Sequence, residues 1–189
     1  MTEEQRYDVV GRYPGFELRR YSEHLVAEIT VDGSFESAGN RAFMPLAGYI
    51  GGRNRFRAKV AMTAPVIQEP AGSTRIAMTA PVVQQASPRT GQYVVSFVMP
   101  ARYTERTLPE PTDPRISVRV VPEQHAAAVR YSGRWSRGAY QARERRLLAA
   151  VRQAGFAPVA PARFARYNPP WTPWFLRRNE VVVPVRPAH

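Results

Sequence analysis

The chain has 189 residues, 44% hydrophobic and 22% charged, which are the values of a globular domain large enough to bury a substantial core. It contains no cysteine, so disulfides, thiolate-bound metal and thiol catalysis are excluded. The net charge of +12 predicts attraction to anions, but all basic residues except Lys59 are arginines spread along the chain, a pattern of codon bias rather than of a nucleic-acid patch, and nucleic acid is not an expected partner.

The N-terminus, with Glu3, Glu4 and Arg6, lacks the apolar run of a signal peptide, and no stretch is long and apolar enough to span a membrane. A cytoplasmic protein is expected. Residues 16–35 read as two strands broken at Ser22-Glu23, the second starting at His24, followed by Asp32-Gly33-Ser34-Phe35. Ser34 can cap a helix over 34–50 that ends at Gly51-Gly52. Pro45 inside it removes the hydrogen bond to the Arg41 carbonyl, so a kink or break is expected there.

Residues 59–66 read Lys-Val-Ala-Met-Thr-Ala-Pro-Val, and residues 75–82 read Arg-Ile-Ala-Met-Thr-Ala-Pro-Val. Glu69-Pro70-Ala71-Gly72-Ser73 between them is a turn signal, so the copies are expected to form the arms of a hairpin. Paired about Ala71, the arms would place Met62 and Met78 on one soft apolar face, which serves equally as pocket wall or as plain core. A further strand is expected over 93–99.

The first-half pattern then returns about a hundred residues on. Residues 115–121 and 125–131 read as strands separated by Pro122-Glu123, and Ser132-Gly133-Arg134-Trp135 matches the Gly33 and Phe35 region. Ser136 can cap a helix over 136–154, with Tyr140, Leu147, Leu148 and Val151 on its core-facing stripe. Strands over 163–167 and 180–185 complete the half. One domain over 1–189 is expected, its halves at about 7–100 and 115–186 closing into an α+β barrel with pseudo-twofold symmetry and a ligand site at their seam.

The segment 165–181 carries the most chemistry. Stiffened by Pro169, Pro170 and Pro173, it could hold Trp171, Trp174 and Phe175 against a planar ligand, with Arg177 and Arg178 meeting carboxylates. The same loop could instead plug one barrel end, with Glu180 paired to a neighbouring arginine. Glu180 lies in an apolar strand, and a buried carboxylate of raised pKa could act as a general base in a hydrolase or lyase. No phosphate loop, paired-histidine metal motif or nucleophile elbow is present.

Taken together, both Ala-Met-Thr-Ala-Pro-Val copies, Val95-Ser96-Phe97-Val98-Met99-Pro100, Ser132-Gly133-Arg134-Trp135, Tyr167-Asn168-Pro169-Pro170 and Arg177-Arg178-Asn179-Glu180-Val181 resemble the SOUL heme-binding family over about residues 7–185. The resemblance implies a distorted β-barrel with two flanking helices, similar to effector-binding domains of multidrug-sensing regulators. It also implies non-catalytic binding of heme or a related tetrapyrrole, for buffering, transport or signalling. The alternative is a binding module for other bulky hydrophobic ligands. The candidate ligand-binding residues are Phe43, Met62, Met78, Trp171, Trp174, Phe175, Arg177, Arg178 and Glu180. Where some family members place an axial histidine, this chain has Arg20, which cannot ligate iron; His24 and His125, at the starts of matching strands, are the substitute candidates. Oligomeric state is not readable from these features.

Overall fold

A computed structural model describes residues 3–55, 74–168 and 171–188. The strands are β1 (Glu3–Glu4), β2 (Asp8–Tyr13), β3 (Phe16–Tyr21), β4 (His24–Asp32), β5 (Asn54–Arg55), β6 (Thr79–Ala80), β7 (Val82–Ala86), β8 (Gln92–Val98), β9 (Glu110–Pro111), β10 (Ser117–Val121), β11 (Gln124–Tyr131), β12 (Phe156–Pro158), β13 (Arg163–Arg166) and β14 (Asn179–Pro187). The helices are α1 (Phe35–Ile50) and α2 (Arg137–Gln153), with a short 3-10 turn at Trp174–Leu176.

One antiparallel sheet dominates, in the order β10-β4-β8-β7-β13-β14-β11-β3-β2, with β12 beside β14. Two small pairs, parallel β1–β6 and antiparallel β5–β9, lie off it. The architecture is α+β, as expected, but among the described residues the sheet is not closed into a barrel, with β10 and β2 as its end strands. Tyr21 of β3, the strand next to β2, and Val121 of β10 nevertheless line the same slot. The sheet is therefore strongly curled without the final ladder of hydrogen bonds.

Side-chain alternation gives the sheet two faces. Leu18, Leu25, Ala27, Val95, Phe97, Ala127, Phe164, Val181 and Val183 point to the helices and form the main core. α1 packs over β4, β7 and β8, and α2 over β3, β11, β12 and β14. Ser34 caps α1 and forms a reciprocal capping box with Ser37, while Ser136 accepts from the Ala139 N–H to cap α2. Leu147 and Val151 are buried, with Tyr140 and Leu148 packed beside them.

α1 runs unbroken through Pro45, contrary to the break expected there. Ala38, Ala42, Leu46, Tyr49 and Ile50 are buried on both sides of the proline, so tertiary burial outweighs one lost backbone bond. The first Ala-Met-Thr-Ala-Pro-Val copy, with Met62 and the expected hairpin turn, lies outside the described residues. In the second copy, β6 pairs with β1 rather than with a hairpin partner among the described residues.

Candidate functional site

The face opposite the helices carries the inward positions of the curled sheet. Two small apolar clusters floor it: Tyr21, Ala126, Ala128, Ala165 and Val182 on one side, and Val26, Val98 and Val121 on the other. Between them runs a slot whose walls include Tyr21, His24, Val94, Ser96, Arg119, Gln124, Arg163 and Tyr167. The slot itself is narrow, about 40 Å³. It shares Gln5, His24 and Val98 with a wider chamber of about 610 Å³. That chamber is walled by Leu25, Met99, Pro100, Tyr103 and Val120, with Glu4, Arg6, Glu23, Glu105 and Arg106 at its margin. A volume of this order is in the range of small-molecule sites.

Beside the slot lies a buried ionic cluster. Glu180 is 0% exposed. Its Oε2 accepts from Arg19 Nη1 at 2.7 Å and from the Tyr167 hydroxyl at 3.1 Å. Its Oε1 accepts from Arg178 Nε at 3.1 Å, from Arg178 Nη2 at 2.9 Å and, more weakly, from Arg19 Nη2 at 3.4 Å. Arg19 also bonds Glu17 at 2.9 Å and lies over the Tyr7 ring, and Arg178 reaches Glu4 at 2.9 Å while stacking on Tyr167. Burial opposes both guanidinium charges, but the bonds to Glu180 outweigh it and raise both pKa values. The carboxylate is thus fully used as an acceptor. Burial also pushes the Tyr21 and Tyr167 hydroxyls up, so both stay neutral.

His24 lines the slot with both ring nitrogens engaged, Nδ1 with the Ser22 carbonyl at 2.8 Å and Nε2 with the Gln5 amide at 3.0 Å. Burial lowers its pKa and favours the neutral ring. His125 is exposed. It stands opposite Arg20 in the β3–β11 register, next to the Leu18–Ala127 pair that faces the helices. Gln124, rather than His125, shares the slot-facing side with His24: β10 pairs Val121 with His24, β11 pairs Gln124 with Tyr21, and all four line the slot. The two histidines therefore lie on opposite faces and cannot share one ligand.

The other candidates are placed as follows. Phe43 packs against Phe97 under α1, with ring centroids 5.8 Å apart, and Met78 joins the same core. Trp171, Trp174 and Phe175 are exposed, Trp171 at 81%, and line neither slot nor chamber. Arg177 lies over the Trp135 ring at 4.2 Å and donates to the Thr172 carbonyl at 2.8 Å. Arg178 and Glu180 meet, but in the ionic cluster rather than in the slot. Asn179 serves a structural purpose: fully buried, it accepts from Trp135 Nε1 at 2.8 Å and donates to the Gly133 carbonyl at 3.1 Å. The slot residues Arg163, Gln124 and Arg119 were not singled out from sequence. Alternation along Arg163, Ala165 and Tyr167 on one strand face was the available signal.

The family model described as SOUL heme-binding protein matches residues 2–73 and 67–184, nearly the whole chain. This chain belongs to the SOUL heme-binding protein family. No curated protein matches it significantly. Among solved structures, this SOUL-family chain is similar to the EcmrR C-terminal domain at 11% identity and a TM-score of 0.62, over 96% of this chain and 99% of that one. It is similar to EcmrR in a DNA complex at 13% identity and a TM-score of 0.63, over 90% of this chain and 57% of that one. A hydrolase from Listeria innocua is similar at 12% identity and a TM-score of 0.56, over 89% and 91% of the two chains. At such identities the likeness is one of fold. No helix among the described residues is long and apolar enough to cross a membrane.

Proposed function

We propose that this protein binds heme or a related tetrapyrrole without transforming it, for buffering, transport or signalling. The macrocycle lies in the chamber beside Val98, Met99, Pro100 and Tyr103, with an edge turned to the slot. The observation that carries this reading is the joining of an apolar-walled chamber of about 610 Å³ to a slot rimmed by hydrogen-bond donors in a member of a heme-binding family. The state of Glu180, held by two arginines and a tyrosine, supports binding over general-base chemistry. The iron is retained without a fixed protein ligand, since His24 is committed at both nitrogens and His125 faces away. Burial of a large flat ring, at about 25 cal/mol per Å² before ordering costs, holds it instead.

The site is built by two duplicated halves of a single domain. The strand order supports this, because β10-β4-β8-β7 on one side of its midpoint has the same succession of long and short strands as β3-β11-β14-β13 on the other. The register supports it too: a shift of about one hundred residues converts the β3–β11 pairing into that of β10–β4. The absence of cysteine fits a reducing cytoplasmic setting.

Titration of the purified protein with ferric heme and with iron-free protoporphyrin tests the reading. Saturable one-to-one binding at or below micromolar is expected, with the two ligands within about tenfold, or ~1.4 kcal/mol. His24→Ala should leave the Soret band in place. Loss of that band with an intact circular dichroism spectrum would make His24 an iron ligand. Weak, non-saturating changes would instead favour another bulky hydrophobic ligand.

A further inference from the structure

Arg163 on β13 is the charge in the slot that the surrounding protein does not compensate. The slot's other cation and the two of the ionic cluster beside it are matched. Arg119 meets Glu28 at 3.1 Å, Arg19 meets Glu180 at 2.7 Å and Glu17 at 2.9 Å, and Arg178 meets Glu180 at 2.9 Å. Arg163 is half-buried and has neither a carboxylate nor a hydrogen-bond acceptor among the described residues. Among the described residues, no Asp or Glu lines the slot.

The electrostatics agree with the geometry. Burial, with a smaller contribution from Arg119, lowers the pKa of Arg163 against an opposing effect of Tyr21. Its charge also acts on the His24 ring. Tyr21, His24 and Arg119 line the slot together with Arg163. A second donor in the slot is equally unmatched: Nε2 of Gln124, on β11, is buried without a partner. A partly desolvated guanidinium and a buried amide N–H, both lacking acceptors among the described residues, make this an expensive place in the ligand-free protein.

We infer that Arg163, assisted by the Gln124 amide, is an anchor for the carboxylate of an amphipathic acid whose apolar body fills the adjoining chamber. The guanidinium fork matches the two coplanar oxygens of a carboxylate. One uncompensated positive charge in a slot of about 40 Å³ suits a monoanionic group better than a dianionic phosphate. The inference rests on this face being the ligand site, but not on the ligand being a tetrapyrrole.

Two probe pairs test it: protoporphyrin against its dimethyl ester, and a fluorescent polyene fatty acid against its methyl ester. Each is titrated into the wild type, Arg163→Gln and Arg163→Met, with folding checked by circular dichroism. In at least one pair the wild type should prefer the acid by about tenfold or more, the scale of a charged hydrogen bond. Both variants should reduce that preference to within about twofold by weakening the acid and leaving the ester unchanged. Arg163→Met should also melt higher than the wild type without ligand, because it removes an uncompensated charge. Acid preference confined to the fatty acid would end the tetrapyrrole reading and sustain the anchor. Equal or absent binding of acid and ester in both pairs, or an acid preference that survives in the variants, would overturn it.

Discussion

Glu180→Gln is the sharpest single perturbation of the buried cluster, since it keeps the side-chain shape and removes the charge. The new amide presents N–H groups to guanidinium donors that now find an acceptor there. Arg19 is only 3% exposed, although it retains Glu17 at 2.9 Å, and Arg178 retains Glu4 at 2.9 Å. Breaking a buried pair by removing one partner costs about 3–5 kcal/mol. The retained carboxylates place this variant near the lower end, about 3 kcal/mol. For a domain of this size that lowers Tm by roughly 6–12 °C, at ~2–4 °C per kcal/mol. Thermal and urea denaturation followed by circular dichroism would measure it. Combining the change with Glu17→Gln should cost more than the two separately, by at least ~0.5 kcal/mol, because both carboxylates serve Arg19. A loss below about 1 kcal/mol for Glu180→Gln, or strict additivity of the pair, would refute the view that the cluster clamps β3 to β14.

Trp171→Ala and Trp174→Ala should each change stability by less than about 0.5 kcal/mol and porphyrin affinity by less than about twofold, because both rings are exposed and away from the slot; fluorescence titration and melting curves check both. Stability should fall as pH drops through the ordinary histidine value near 6.5, since the buried ring of His24 resists the proton that the unfolded chain accepts. It should level off below the depressed native value, and His24→Gln should shrink the difference in Tm between pH 7.5 and 5.5. Gly39→Ala drives its Cβ into the buried guanidinium of Arg166, so a loss of about 1–3 kcal/mol in urea unfolding is expected.

Most of the secondary structure was legible because it is written in local chemistry. Ser34 and Ser136 announce the helices, and apolar alternation announces β3, β4, β8, β10, β11, β13 and β14. Closure of the sheet was not legible, since the alternation is the same whether or not the end strands pair. The burial of Glu180 and its pairing with nearby Arg178 followed from an acidic residue in an apolar strand. Its bond to Arg19 crosses 161 positions and has no local trace. Aromatic residues between prolines read as ligand-facing, yet exposure is decided by which way the loop leaves the sheet. Arg163 was hidden for the opposite reason: it looks like one more arginine in an arginine-rich chain until strand parity turns it inward.

The position of β14 has a consequence for synthesis. This strand lies between β13 and β11, and every one of the seven residues 179–185 is buried. A chain released or cleaved before Asn179 would present β13 and β11 as two unpaired edges with apolar faces uncovered, an invitation to aggregation. The pieces on either side cannot dock until β14 has left the ribosome, so cooperative folding waits for nearly all of the chain described here. Because β14 also carries Glu180, the same late event joins the two parts of the sheet and gives Arg19 its inner counter-charge. A nascent chain stalled short of it is a natural target for chaperones and proteases, whereas the completed one offers them little.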